Sequence, residues 1–337
     1  VRSDLDRCIA LSNDNAEAYY HRGRANAGSG RLADAVGDFT RAISLKPEAT
    51  SPYTARAEVM ARSGNWEAAA RDAYTAIVLG SRKPGPYLTA CQASIALGDF
   101  EALAEYAEGG IRTAPELPDF HRFAGRAYRE NGDLTKALGA YDQALKIVPG
   151  DAGTLLGRAL TAILLRRYYK AEADCSAVLN TVTSGTAYAL RGFARMKTGS
   201  LERALEDSTN ALTLEPKEVM ALLTRANIQL LRNRGSDALR DSRKALKIDP
   251  AQPWAYITYG SALTMAGKNE EGLKMLDQAV EMVPDDGEAY LARGRCLAAL
   301  GRKSDAEKDF EKAAGIDAWF ADAVKAEMER LNKGQMP

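Results

Sequence analysis

The fold is decided by a 34-residue stretch that reads AEAYYHRGRANAGSGRLADAVGDFTRAISLKPEA over residues 16–49 and then returns along the chain. Small side chains recur at places eight, twenty and twenty-seven of nine successive copies, first as Gly23, Ala35 and Ala42. Proline closes six of the copies, first as Pro47. A fixed period of this length predicts an array of stacked repeats.

Each copy is predicted to be a pair of helices. In the first one, apolar residues have helical spacing over residues 17–29, Gly30 interrupts the pattern, and the spacing resumes over residues 31–45. Pro47 lacks the amide hydrogen that a longer helix would need. Because one hairpin cannot bury its own apolar face, each is expected to pack against its neighbours.

The repeated residues resemble the tetratricopeptide repeat family over roughly residues 16–320. The resemblance implies an all-α fold, namely a right-handed superhelical solenoid of helix-turn-helix repeats. It further implies that the first helices line a concave groove, where such proteins hold an extended peptide or a partner's helix. On this basis the chain is expected to be a protein–protein interaction scaffold.

The period also predicts the organisation of the chain. The nine predicted repeats are residues 16–49, 50–83, 84–117, 118–151, 152–184, 185–218, 219–252, 253–286 and 287–320. Residues 1–15 are expected to form a partial repeat with a second helix only, residues 321–333 a capping helix, and residues 334–337 a tail. Because the chain starts at Val1 and its first helix lacks a partner, we expect it to belong to a longer protein.

Two repeats depart from the pattern. The third carries Gly109 and Gly110 inside its second helix, where each glycine costs about 1 kcal/mol relative to alanine. It is therefore predicted to be the softest part of the array, as a tolerated weak repeat or as a hinge. The fifth repeat is one residue short and has Arg166 where a turn glycine is usual.

Arginine and aspartate occur together in six repeats and are both missing from the other three. The arginine stands at place seven and the aspartate at place twenty-three. The six combinations are Arg22 with Asp38, Arg56 with Asp72, Arg158 with Asp174, Arg191 with Asp207, Arg225 with Asp241 and Arg293 with Asp309. This co-occurrence predicts a salt bridge between the two helices of each hairpin.

The best-understood subgroup of the family grips a C-terminal carboxylate with lysine and asparagine on consecutive first helices. The corresponding places here carry Tyr20 and Arg24, Thr54 and Glu58, Leu88 and Gln92, and Arg122 and Arg126. The clamp for C-terminal chaperone tails is therefore predicted to be absent.

The groove is predicted from places two, five, nine, twelve and thirteen, which share one face of each first helix. Arg122, Arg126 and Arg129 form a basic stripe with only Glu130 nearby, and a guanidinium fork suits carboxylate or phosphate. The other predicted partner-binding residues are Leu156, Leu160, Ile163, Phe193, Met196, Leu223, Asn227, Leu230, Trp254 and Ile257.

These residues predict a protein or peptide ligand with an acidic or phosphorylated part and an apolar part. The alternative interpretation of the apolar side chains is that they pack between adjacent first helices and are not exposed to solvent. Self-association into a homo-oligomer through the same surface is equally compatible with the pattern.

Composition excludes several other functions. With 45 basic and 45 acidic side chains, the net charge is zero, which disfavours nucleic acid, and no apolar stretch is long enough for membrane insertion. The four cysteines are too scattered for a disulfide framework or a zinc site, so we expect free thiols and a cytoplasmic location.

Neither of the two histidines has a nucleophile at a motif spacing, and no catalytic, cofactor-binding or metal site is predicted. The chain is not expected to be an enzyme. A regulatory or substrate-recruiting arm of a longer enzyme and a self-associating structural module are the alternatives to the interaction scaffold.

Overall fold

The computed structural model describes residues 2–333, which form twenty α-helices and one short 3-10 helix, with no strand in that range. The first helices of the hairpins are α2 (Ala16–Gly28), α4 (Thr50–Arg62), α6 (Pro84–Leu97), α8 (Pro118–Glu130), α10 (Ala152–Leu164), α12 (Gly185–Lys197), α14 (Val219–Leu231), α16 (Pro253–Met265) and α18 (Gly287–Ala299). The second helices are α3 (Leu32–Leu45), α5 (Trp66–Val78), α7 (Phe100–Thr113), α9 (Leu134–Ile147), α11 (Tyr168–Leu179), α13 (Leu201–Leu214), α15 (Gly235–Ile248), α17 (Asn269–Met282) and α19 (Lys303–Ile316).

Single helices flank these hairpins. Helix α1 (Arg2–Leu11) precedes them, and the 3-10 helix (Ala318–Phe320) and α20 (Ala321–Asn332) follow. On α20, Val324 and Leu331 are buried and the opposite face is exposed, while its role as a capping helix stays a prediction. The predicted tail, residues 334–337, lies outside the described residues.

The chain divides into two compact bodies, an N-terminal body of residues Val1–Leu165 and a C-terminal body of residues Arg166–Pro337. The division falls in the turn between α10 and α11, inside the fifth predicted repeat. Within each body, every second helix packs against the first helix before it in sequence and, where one follows, against the next first helix. The predicted repeat boundaries stay a prediction, because helix ends alone do not define them.

Small residues at place eight have a clear packing reason. A Cβ atom added to Gly23 would lie 2.6 Å from Cε1 of Phe39 on the second helix, and one added to Gly294 would lie 2.6 Å from Cε1 of Phe310. Both rings are buried. The aromatic side chain of the second helix thus occupies the space that a side chain on the first helix would need, and the two helices approach closely.

The same reasoning changes the interpretation of Gly109 and Gly110. A Cβ atom at Gly109 would lie 2.5 Å from Cε1 of Tyr87, and one at Gly110 would overlap the ring of Phe120. Helix α7 runs unbroken through both residues. The sequence interpreted these glycines as marks of a weak repeat or a hinge, whereas in the structure they make room for two aromatic rings.

Five of the six predicted arginine–aspartate pairs are formed, with closest N–O distances of 2.6–2.8 Å. They are Arg22–Asp38, Arg56–Asp72, Arg191–Asp207, Arg225–Asp241 and Arg293–Asp309. In each pair, two guanidinium nitrogens donate to the two oxygens of an almost fully buried carboxylate. The sixth pair would join the two bodies and stays a prediction.

The arginines also donate hydrogen bonds to the second helix that precedes their own hairpin, and the sequence analysis did not predict these bonds. Arg22 donates to Asp6, Arg56 to Thr40 and Arg293 to Asp277, each time on the preceding second helix. In these three cases the acceptor lies sixteen residues before the arginine, and an oxygen-bearing side chain stands at that spacing before five of the six arginines; before Arg191, in the shortened register, Ser176 lies fifteen residues away and accepts from it. One guanidinium therefore links three helices, and the signal was present in the sequence.

Candidate functional site

The basic stripe lies on α8 and is more neutralised than expected. Arg122 pairs with Asp119 on its own helix and lies 3.7 Å from Asp151, the N-cap residue of α10. Arg129 pairs with Glu130 at 2.6 Å. The expectation of a stripe with only Glu130 nearby was therefore incomplete, because Asp119 lies one turn before Arg122 and Asp151 comes from the next helix.

Arg126 is the exception within the stripe. It forms no ion pair among residues 2–333, and its Nε atom is buried without a hydrogen-bond partner there. All three arginines surround the ring of Tyr141: burial raises the pKa of this tyrosine, whereas the positive charges of Arg129, Arg126 and Arg122 oppose that rise. A buried N–H without an acceptor is costly, and the unpaired guanidinium of Arg126 is the part of the stripe that a carboxylate or phosphate would neutralise.

The apolar residues of α10 are only partly accessible. Leu156 and Leu160 are half-buried, and Ile163 is buried. On the helices of the C-terminal body, Phe193, Leu223 and Ile257 are buried as well. The sequence predicted that these side chains face a groove. Ile163, Phe193, Leu223 and Ile257 are instead largely buried among neighbouring helices, which is the alternative that the pattern had left open.

An aromatic stack joins a side chain of α12 to one of α16, both of which pack against α14. The rings of Phe193 and Trp254 are 5.5 Å apart and nearly parallel, with an interplanar angle of 9°. The Trp254 indole Nε1 donates to Asp286 at 3.4 Å. The ammonium of Lys197 lies 5.5 Å from the centre of the Phe193 ring. Phe193 and Trp254 together form part of the wall of a pocket.

The pocket beside this stack has a volume of about 220 Å³. We call it the aromatic pocket; it is lined by Phe193, Met196, Leu223, Asn227, Trp254 and Ile257 among others. Glu218 and Glu288 supply carboxylates to its lining. Burial raises the pKa of Glu218, and its carboxylate accepts a hydrogen bond from the Ala221 amide and so caps α14.

A larger cavity, of about 730 Å³, lies in the same body and shares several of these residues. We call it the large cavity. Its apolar lining includes Met196, Leu230, Leu231, Ile257, Met265, Leu291, Trp319 and Phe320, and its polar lining includes Lys197, Asn227, Asn233, Glu288 and Arg295. Leu231 is 68% exposed and Trp319 is 66% exposed, so apolar surface remains open to a ligand.

Seven of the predicted groove residues thus line one or both of these spaces, namely Phe193, Met196, Leu223, Asn227, Leu230, Trp254 and Ile257. Sequence reasoning missed Lys197, Glu288, Leu291, Trp319 and Phe320. Lys197, Glu288 and Leu291 stand at places thirteen, two and five, so the groove face itself was the available signal for them. Trp319 and Phe320 close the ninth predicted repeat at places thirty-three and thirty-four, outside the places from which the groove was predicted.

Three of the four thiols are buried and one is exposed. Burial raises the pKa of Cys91 and of Cys175 to about 12 and also raises the pKa of Cys296, whereas Cys8 is exposed. Residues 2–333 contain no group of three or more His, Cys, Asp or Glu side chains arranged to hold a metal ion. None of the helices within that range has both the length and the apolar character needed to cross a membrane.

Comparison with known proteins identifies relatives of part of the chain. A segment of 113 residues is 30% identical to RNA polymerase II-associated protein 3 of Rattus norvegicus, and a segment of that length is 31% identical to the Mus musculus protein of the same name. Each match covers 33% of this chain and 17% of the relative. The chain therefore spans only a small part of the length of these relatives.

Solved structures share the fold. A tetratricopeptide repeat protein from Parabacteroides merdae has 21% sequence identity and a TM-score of 0.55, covering 76% of this chain and 100% of that one. The APC/C hetero-tetramer Cut9-Hcn1 contains a chain with 11% identity and a TM-score of 0.62, covering 96% of this chain and 80% of that one. At these identities, the likeness concerns the fold alone.

The model of the tetratricopeptide repeat family matches residues 2–50, 28–86, 91–152 and 260–319. These ranges lie in both bodies and together cover more than half of the chain. Their repeated helical hairpins are those predicted from the 34-residue period. The chain belongs to the tetratricopeptide repeat family.

Proposed function

We propose that this chain is a non-catalytic protein–protein interaction scaffold, and that the large cavity of the C-terminal body holds a peptide or a partner helix. The observation that carries the proposal is the apolar surface left open there, above all Leu231 and Trp319 at the rim of a space of about 730 Å³. Repeats of this family imply an interaction scaffold, and a pocket of this size suits one or two apolar side chains of a partner.

The lining defines the kind of segment that fits. Leu230, Ile257 and Leu291 come from three successive first helices, so apolar contacts are spread along the cavity. Asn227 and Asn233 offer amide groups that hold backbone or polar side chains. A partner helix with apolar residues on one face, or an extended segment with alternate apolar side chains, matches this arrangement.

The basic stripe of α8 is proposed as a separate contact in the N-terminal body. Arg126 is its anchor, because it is the one arginine of the stripe without an ion pair among residues 2–333. An acidic or phosphorylated side chain would pair with the accessible nitrogens of its guanidinium. Arg122 and Arg129 already hold carboxylates of this chain and would contribute less.

A second candidate is a self-associating module. The same exposed side chains, Leu231 and Trp319, favour it, because a second copy would cover them equally well. Molecular mass measured over a range of concentrations separates the two: self-association increases the mass with concentration, and a scaffold for other proteins remains a monomer.

The buried free thiols fit a reducing compartment, and we propose the cytoplasm.

The test is a peptide-display selection on the wild type and on Leu231→Lys/Met265→Lys, which changes two exposed rim residues without touching the buried stack. Leu164→Lys is the control, since Leu164 is an exposed leucine on α10 in the other body, with an exposure between those of Met265 and Leu231. We expect apolar peptides to bind wild type and the control and to be lost from the rim variant. Recovery of the same peptides from all three proteins would exclude the large cavity as the binding site.

A further inference from the structure

Cations crowd the start of α11. Arg166, Arg167 and Lys170 lie within five residues, and the first turn of α11 contains no acidic residue. Among the described second helices, α3, α5, α7, α13, α15, α17 and α19 each have an acidic residue in the first turn, and α9 has the N-cap Asp133. Positive side chains oppose the positive end of the helix dipole, so α11 starts against the electrostatic preference of its neighbours.

The turn before α11 carries a second cost. Arg166 adopts a left-handed backbone conformation with φ of 56°, where most of the corresponding turns use glycine, as at Gly132 and Gly199. Side chains other than asparagine and aspartate rarely adopt this conformation, and such residues concentrate at functional sites. Two unfavourable features therefore coincide at one arginine.

These residues line a cleft of about 520 Å³ in the C-terminal body. We call it the cationic cleft; its lining is Arg166, Arg167, Tyr168, Tyr169, Lys170, Lys197, Thr198 and Trp319, with no carboxylate among them. Tyr169 is 77% exposed, and Trp319 is similarly open. Arg167 forms no ion pair in residues 2–333. The cleft thus presents four cations and three aromatic rings to a ligand.

Carboxylates of this chain already touch Arg166 and Lys197. Asp317 pairs with Arg166, whose guanidinium also lies 5.7 Å from the centre of the Trp319 ring. Glu288 lies 3.3 Å from the ammonium of Lys197. Both carboxylates come from the far end of the C-terminal body, and both remain partly open to water. Pairs of this kind hold weakly and exchange for other carboxylates.

The cationic cleft is continuous with the large cavity. Lys197 and Trp319 line both spaces. A bound segment that places an apolar side chain in the large cavity therefore has its neighbouring residues beside these cations. Their side chains would meet Arg166, Arg167 and Lys197.

Resting on the proposed function, we propose that the occupant is a segment of a partner protein in which carboxylates flank apolar side chains. Its carboxylates bind the cations of the cationic cleft and displace Asp317 and Glu288, which compete for the same cations in the free protein. A nucleic acid has no apolar side chain to fill the adjoining cavity, and the chain as a whole has no net charge to attract it.

The experiment measures the anisotropy of a labelled peptide EEDLLEED and of its neutral counterpart QQNLLQQN. The variant is Asp317→Asn, which keeps the side-chain oxygen that accepts from the Trp319 amide. Removing the competing charge should tighten binding of the acidic peptide by up to about fivefold, the range expected for one exposed ion pair. Binding of the neutral peptide should stay unchanged, and Arg167→Gln should weaken only the acidic peptide.

The control is Asp305→Asn, which removes an exposed carboxylate of α19 that pairs with Arg302 and Lys308 outside the cleft. It should leave both affinities unchanged. Equal binding of the two peptides, weaker binding of the acidic one by Asp317→Asn, no binding of it, or displacement by a single-stranded oligonucleotide would each overturn the proposal. If selected apolar peptides still require Leu231 and Met265, the proposed function survives that failure.

Discussion

Hairpins α12–α13 and α6–α7 hold the same two-helix shape by different means. In the first, Arg191 and Arg195 both donate to the carboxylate of Asp207, whose side chain is only 2% exposed. In the second, Ala90 and Tyr106 stand at the corresponding places, and Ala90 is fully buried. The comparison shows that the residues at places seven and twenty-three have to suit each other. A charge pair does so in one hairpin and an apolar contact does so in the other.

The two solutions differ in how they fail. A buried ion pair adds little when intact, since the cost of removing both charges from water offsets their attraction, but loss of one partner strands the other charge. An apolar pair loses only contact area when it is trimmed. The comparison therefore predicts a large asymmetry between single and double substitutions in the charged hairpins.

The largest expected effect is that of Asp207→Ala. It leaves Arg191 and Arg195 without their shared carboxylate and should lower the free energy of unfolding by about 3–5 kcal/mol. Urea unfolding followed by circular dichroism measures the change. Asp142→Ala is the control, since that carboxylate is about half exposed and should cost far less.

The replacement of a whole pair sharpens the same point. In α14–α15, Arg225→Met/Asp241→Leu exchanges both charges for apolar side chains, as α6–α7 does naturally. It should be less destabilising than Asp241→Ala alone, because neither charge is left unpaired. If the double variant were the less stable of the two, the apolar solution would not be transferable between hairpins.

An intermediate effect is expected at Gly110 in the apolar hairpin α6–α7. Gly110→Ala drives a methyl group into the ring of Phe120 and should destabilise by about 1–3 kcal/mol, the usual cost of overpacking. Gly139→Ala on α9 meets no atom within 4 Å and should stabilise by about 0.5–1 kcal/mol, because alanine favours helix. Thermal or urea unfolding of both variants measures whether each substitution lowers or raises the free energy of unfolding. Stabilisation by Gly110→Ala would restore the weak-repeat interpretation of that segment.

The smallest expected effect concerns the rates at which the two buried thiols, Cys91 and Cys175, react with a labelling reagent. Cys91 belongs to the apolar hairpin and Cys175 to α11, both are buried, and burial raises the pKa of each to about 12. At neutral pH, iodoacetamide should therefore label Cys8 first and the two buried thiols slowly and at similar rates, since thiolate and exposure are both required. Mass spectrometry of timed samples measures this. Rapid labelling of Cys91 alone would show that the apolar hairpin opens more readily.

Much of the fold follows from the period. The positions of the hairpins, the small residues at place eight and five of the arginine–aspartate pairs were predicted, because each depends on contacts between residues at a fixed spacing. The role of Gly109 and Gly110 was not, because it depends on where the rings of Tyr87 and Phe120 turn. Propensity alone describes a glycine in a helix as a cost and contains no information about its neighbours.

The candidate site was predictable only in part. The face of the first helices and most of its residues follow from helical spacing, yet Phe193, Leu223 and Ile257 turned out buried. Spacing gives the direction of a side chain from its own helix, whereas its exposure depends on how far the next helix lies. Lys197 and Glu288 both stand at groove places of their repeats, but the period does not give the distance between repeats that are far apart in sequence, so their ion pair was not predictable. Trp319 lies outside the predicted groove places.

The sequence by itself determined the all-α hairpin array and the pairing of charges within hairpins, because these are local contacts that repeat along the chain. Only the tertiary structure decided which apolar residues remain open, that Arg126 lacks an acceptor, and that Asp317 reaches Arg166. The physical reason is that small rotations between successive hairpins add up. The approach of Asp317 to Arg166, from opposite ends of the C-terminal body, depends on their sum, which no single repeat contains.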